Sequence, residues 1–349
     1  MRYGPILAGV VSAALFGIAT PLSKILLTNL SQFQLAGLLY LGAGVAVLPF
    51  VVLRRRKSPR KPVDRKNALR LGAAVLFGGC AGPVLLLYGL ASAQAASVSL
   101  WLNLELAATA VLGFLFFRDH LGTFGWLGAA GALLAGVLVT LHEGTAGILP
   151  ALLVALACAC WGLDNNFTAL IDAFTPQETT FAKGMIAGAV NLVIGTLAVG
   201  RFPAPGTGLA SLALGAACYG GSILLFIMAA QRIGAARGQV LFASAPFFGL
   251  LFSFLLLSEK PSALQAVAAA VLLGSIALML RARHSHRHLH DHVVHIHAHR
   301  HDDLHHAHGH QETPTGLTHS HEHSHDAIEH EHPHVQDLHH RHGHGSPAS

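Results

Sequence analysis

The sequence predicts an all-α integral membrane protein with ten transmembrane helices in two inverted five-helix repeats, followed by a disordered C-terminal tail. Three observations predict this fold. The 349 residues are 52% hydrophobic and 11% charged, where a soluble chain carries about 25% charged residues. The apolar residues come in runs of about 20, the length that crosses a bilayer. The composition then breaks near Arg283. Residues 1–283 hold 19 Lys/Arg and 8 Asp/Glu, while residues 284–349 hold 3 Arg, 9 acids and 24 of the 26 histidines.

The spans are read at roughly 4–28, 33–53, 68–90, 95–117, 121–141, 147–172, 180–200, 207–231, 236–257 and 262–281. The first run is long and is followed by further spans, so it reads as a retained helix and not a cleaved signal. Polar or basic breakers separate the runs, from Asn29–Gln32 to the basic stretch Arg54–Lys66 and the proline-containing Arg201–Gly208. In lipid only helices and closed barrels satisfy every backbone polar group, and runs this long are helices. Small residues recur within them, such as Gly128, Gly131 and Gly136, or Gly184, Gly188 and Gly195, and suit close helix packing.

Lysine and arginine set the orientation. With the N-terminus inside, the cytoplasmic segments hold 16 of these cations, nine of them between Arg54 and Arg70, and the outer side holds Lys24, Arg201 and Lys260. Ten spans then put both termini in the cytoplasm of a bacterial-type inner (plasma) membrane. The basic balance of residues 1–283 belongs to these membrane flanks, and nucleic acid is not an expected partner. The four cysteines Cys80, Cys158, Cys160 and Cys218 lie inside apolar runs and read as small hydrophobes, not a disulfide framework.

Residues 95–121 align without a gap on 235–261: Ala95-Ala96 on Ala235-Ala236, Phe114-Leu115 on Phe254-Leu255, and Asp119 on Glu259. Phe16-Gly17 and Trp161-Gly162 open the first span of each half. Five spans per half force the halves into opposite orientations, the inverted-repeat plan of many secondary transporters.

At these residues the chain resembles the EamA-like proteins of the drug/metabolite transporter superfamily. The resemblance is carried by FGIATPLSK (Phe16–Lys24), by WGLDNNFT (Trp161–Thr168) and by NLELAATAVLGFLFFRDHLG (Asn103–Gly122), similar to the family's Glu-Pro helix with Leu106 in place of the proline. SAPFFGLLFSFLLLSEKPS (Ser244–Ser262) keeps the proline as Pro246, with Ala245 where a glutamate could stand. The resemblance covers about residues 1–281. It implies repeats over 1–141 and 147–281, alternating access, and substrates that range over amino acids, metabolites, nucleobases and drugs.

Ionisable groups within a bilayer are costly and usually face a cavity or a partner. The candidate cavity residues are Asn103, Glu105, Asp164, Asn165, Asn166 and Lys24. The competing readings are helix-packing hydrogen bonds for the carboxylates and amides, and snorkelling to the interface for Lys24. Asn191 and Gln239 are isolated polar groups, and packing is the default for Trp101, Trp126 and Trp161.

The tail, residues 284–349, is of low complexity and carries alternating histidines: His284, His286, His288, His290, His292, His295, His297, His299, His301, His319, His321, His323 and His325. Such composition argues for disorder. Imidazole suits zinc, nickel, cobalt and copper, so divalent metal ions are expected partners of the tail, with no cofactor required. Protonation near pH 6.5 would swing its charge positive.

The function expected is secondary transport of small organic solutes, with export favoured by the resemblance. A divalent transition-metal exporter fed by the tail, and a metal-responsive sensor without transport, stay open. A homodimer is also open. No nucleophile elbow, Walker loop or HExxH motif argues for an enzyme.

Overall fold

A computed structural model describes residues 4–55, 63–117, 122–233, 238 and 241–281, with four tail segments, 284–289, 293–299, 319–325 and 329–334. The core is helical. Its elements are α1 (Gly4–Leu26), α2 (Gln32–Arg55), α3 (Arg65–Ala74), α4 (Gly82–Ser92), α5 (Ala95–Trp101), α6 (Leu104–Phe117), α7 (Thr123–Glu143), α8 (Ile148–Ala169), α9 (Pro176–Val199), α10 (Pro205–Leu214), α11 (Ser222–Ile233), α12 (Ala245–Leu257) and α13 (Ala263–Arg281). Two π-helical turns, Val75–Ala81 and Gly215–Gly221, join α3 to α4 and α10 to α11.

Among the described residues eight helical stretches are long and apolar enough to cross a membrane, from Gly4–Leu26 to Pro205–Ala230, and this is a multi-pass membrane protein. Ala245–Leu257 and Ala263–Met279 are apolar but shorter. In the ninth expected span, described at 238 and from 241 onward, a turn at Ala243–Ser244 precedes α12. The fourth is interrupted in the same way at Leu102–Asn103, where Asn103 N bonds Leu100 O (3.2 Å) and Leu106 N bonds Asn103 O (3.1 Å).

Packing is reciprocal between the two halves. The helix α2 packs along α9, and α7 along α13. The first helix of the chain, α1, packs against α11 and α12, while α8 packs against α4 and α6. Glycine makes the α2–α9 crossing close: a Cβ on Gly184 would come within 2.7 Å of the Gly44 backbone. Facing side chains in lipid gain little from leaving it, so contact depends on backbones approaching closely.

Loops meet in two sets, and each set joins segments expected on one side of the membrane. Asn67 Nδ2 donates to Asp172 Oδ1 (2.8 Å) and Arg70 donates to Leu170 O (2.6 Å). At the other end Gln34 Nε2 donates to Arg201 O (2.9 Å). Asp64 caps α3, accepting from Asn67 N and Nδ2, each at 2.8 Å. Those two bonds hold its carboxyl below the usual range.

Four segments of the tail are paired as short strands. His284–Leu289 pairs antiparallel with Glu329–His334, and Val293–His299 with His319–His325. Histidine alternates with other residues here, and a period of two fits a strand. A two-stranded ribbon with nothing packed on it is marginal in water.

Candidate functional site

Both helix interruptions open onto one cavity. It is lined from α1 by Phe16, Gly17 and Thr20, from the first interruption by Ser99, Leu102 and Asn103, from α6 by Glu105 and Leu106, and from the second interruption by Phe242, Ala243, Ala245, Pro246 and Gly249. The space is about 70 Å³, small beside the ~300 Å³ lower bound of ordinary small-molecule pockets.

Glu105 is half-buried in the first turn of α6. The amide of Asn165 donates to Glu105 Oε1 (2.9 Å) and to Thr109 Oγ1 (3.1 Å). Asn103 is 3% exposed and its Nδ2 is buried with no hydrogen-bond partner among the described residues. A buried donor left unpaired costs about 1–3 kcal/mol. Phe16 and Phe242 lie with ring centroids 5.2 Å apart, and Tyr219 meets the edge of Phe16 at 5.8 Å.

Asp164 is a neighbour of this site, not a lining residue. Lys183 Nζ bonds both its oxygens, at 3.0 and 2.7 Å, and Thr168 Oγ1 adds a third bond at 2.9 Å. Its partners on α8 and α9 are one turn and one helix away, and the cation satisfies the carboxylate directly. Asn166 donates to Thr109 O (3.0 Å) and Gly162 O (2.8 Å), a packing role between α8 and α6. Cys158 Sγ lies 3.7 Å from Trp101 O and 3.8 Å from Leu102 O at the interruption, where Leu102 O also accepts from Glu105 N (3.1 Å).

Lys24 belongs to a different place. Its Nζ donates to Ala93 O and, at 3.3 Å, to Leu90 O, at the C-terminal end of α4. A cation there offsets the negative end of the helix dipole. Just beyond, the N–H groups that open α5 meet carboxylates. Ala95 N and Ala96 N donate to Glu259 at 2.9 and 2.8 Å, and Gln94 N donates to Glu143 at 3.2 Å. Lys24 thus caps a chain reversal and takes no part in the cavity wall.

Nothing in the order of residues indicates what binds the first π-helical turn. A π turn leaves carbonyls without their usual helical donors. Gly78 O accepts from Tyr40 Oη (2.5 Å) and Trp161 Nε1 (3.0 Å), and Asn191 Nδ2 reaches Gly79 O (3.1 Å) and Cys80 O (3.4 Å). Asn191 and Trp161 are therefore hydrogen-bonding groups, not isolated or purely packing ones. Gly78 also faces Asp164, with no room for a Cβ.

Of the tail histidines, His290, His292 and His301 lie outside the described residues, as does Asp119. The backbone register sets His295 opposite His323, His297 opposite His321 and His299 opposite His319. Among the described residues no group of three or more His, Cys, Asp or Glu could hold a metal ion.

The EamA-like transporter family model matches the chain twice, over residues 4–141 and 148–281. The chain belongs to the EamA-like transporter family. It is 26% identical over 293 residues to an uncharacterized transporter of Methanothermobacter thermautotrophicus, covering 77% of this chain and 84% of that one. A protein of known crystal structure matches with a TM-score of 0.54 at 18% identity, over 78% of this chain and 94% of the other, a likeness of fold. The EamA-like chain is thus a membrane transporter with its cavity where two interrupted helices meet.

Proposed function

We propose that this chain is a secondary transporter of small organic solutes, an exporter working by alternating access, built from ten spans in two inverted repeats. The observation that carries the reading is the cavity at two interrupted helices, with Glu105 and the unpaired Asn103 at one interruption. Discontinuous helices at a repeat interface are where secondary transporters bind substrate.

Several features support the inverted repeat. The π turns begin 140 residues apart, at Val75 and Gly215. So do α7 and α13, at Thr123 and Ala263. Reciprocal packing of α1 on α11 and α12, and of α8 on α4 and α6, is what a twofold axis between the halves produces. The loop pairings join segments assigned to the same side, and the placement of both termini in the cytoplasm rests on the lysine and arginine distribution.

The tail is proposed to bind divalent zinc, nickel, cobalt or copper through closely spaced imidazoles. On this reading the metal at the tail is regulatory and the cargo is an organic solute.

Cysteine accessibility tests the transport reading. Thr20→Cys is placed in a variant whose four native cysteines are replaced, and an impermeant thiol reagent is applied from each side of oriented vesicles. Alternating access predicts reaction from both sides, each protected by solute. Reaction from one side alone under all conditions rejects it.

A further inference from the structure

We infer that the cavity takes a small, singly charged ammonium compound that also carries a neutral hydrogen-bond acceptor. The inference rests on the transport reading above and names its substrate class. Among the described residues lining the cavity, Glu105 is the one that carries a charge. Among the described residues it forms no ion pair, and the nearby cation Lys183 is held by Asp164. At the first interruption the C-terminal end of α5 abuts the N-terminal end of α6, and their opposite dipole ends offset each other. At the second, Pro246 supplies no N–H to the start of α12. The carboxylate therefore sets the sign of the site.

Two further features select the ligand. The rings of Phe16 and Phe242 line the same cavity, 5.2 Å apart, and aromatic faces attract a cation freed of water. Asn103 Nδ2, buried without a partner, asks for an acceptor. A hydroxyl or ether oxygen answers that need without bringing a negative charge to a site that holds no free cation. An anion gains the Asn103 donor but meets the Glu105 carboxylate with no cation among the described lining residues, and is repelled. A neutral alcohol can donate to the carboxylate but brings no charge to pair with it. A zwitterion pairs its ammonium but leaves its own carboxylate with one amide donor.

The test uses the purified full chain in detergent, with four probes of similar size: 2-aminoethanol, glycine, glycolate and 1,2-ethanediol. Binding is read by thermal shift and titration calorimetry, and flux of labelled 2-aminoethanol is read separately in proteoliposomes. The expected result is binding of 2-aminoethanol ahead of the other three. Glu105→Gln should weaken it by roughly tenfold or more, the worth of one charge-assisted contact. Phe242→Leu, which leaves every polar contact intact, should weaken it by a few fold. Equal or stronger binding of glycine, glycolate or 1,2-ethanediol overturns the inference, as does binding of none or an unchanged affinity in a monodisperse Glu105→Gln protein. Binding without flux leaves the ligand class standing and rejects transport. Flux of unrelated solutes without ammonium binding does the reverse.

Discussion

Replacing Lys183 by methionine removes the ammonium that neutralises Asp164. The pair is almost entirely out of solvent, with side chains 19% and 7% exposed, and the Nζ lies 2.7 Å from Oδ2. Taking away one partner of such a pair leaves an uncompensated buried charge and costs about 3–5 kcal/mol. Thr168 remains as a donor, which favours the lower part of that range. At about 2 °C per kcal/mol, the scale of a large soluble domain, melting in detergent should fall by about 6–10 °C. Adding Asp164→Asn should recover most of the loss, because the stranded charge is then gone. The double-mutant cycle isolates the pair from any other effect of Lys183. A Lys183→Met protein that melts within a degree of the parent, or a double variant no better than the single one, would refute this account of how α8 is held to α9.

Three other outcomes follow from the geometry. Gly249→Val should separate α12 from α1, since a Cβ there comes within 2.8 Å of Ser99 Cβ and 3.2 Å of Gly17 O; overpacking of this kind costs about 1–3 kcal/mol, and both melting temperature and solute flux should drop. Asn191→Leu should cost about 1–3 kcal/mol by leaving the Gly79 and Cys80 carbonyls of the π turn unbonded, a loss visible in detergent melting and absent if water replaces the amide. Truncation after Arg283 should leave the membrane core monodisperse with unchanged melting, while zinc and nickel binding measured by calorimetry falls to near zero; retained high-affinity metal binding would place the ligands in the core.

Much of this protein was legible in the sequence because the bilayer makes strict demands. Runs of twenty apolar residues have one inexpensive conformation in lipid, so the helices could be placed by counting. Lysine and arginine outside those runs assigned the sides, and the loop contacts join segments so assigned. Glu105 was legible because a carboxylate inside an apolar run needs a reason to be there. Its use of Asn165 was legible only as a cluster, since α6 and α8 are brought together by packing alone.

What the sequence could not decide were the partners. Lys24 and Glu105 look alike as charges within apolar spans, yet one caps the end of α4 and the other lines the cavity. The difference is a few ångströms of depth and the presence of a helix end, neither of which the order of residues records. Asp164 looked like a cavity group until Lys183 was found 19 positions on, across a helix boundary. Tyr40 carried no signal at all, because its acceptor is a carbonyl that exists only once the chain forms a π turn at Val75–Ala81. Sequence alone determined that the core is helical and crosses a membrane many times, and how charge is distributed along it, since both follow from composition along the chain. Tertiary structure alone decided which polar groups are satisfied and which, like Asn103 Nδ2, find no partner among the described residues, because hydrogen bonding depends on which backbone atoms happen to be free within 3 Å.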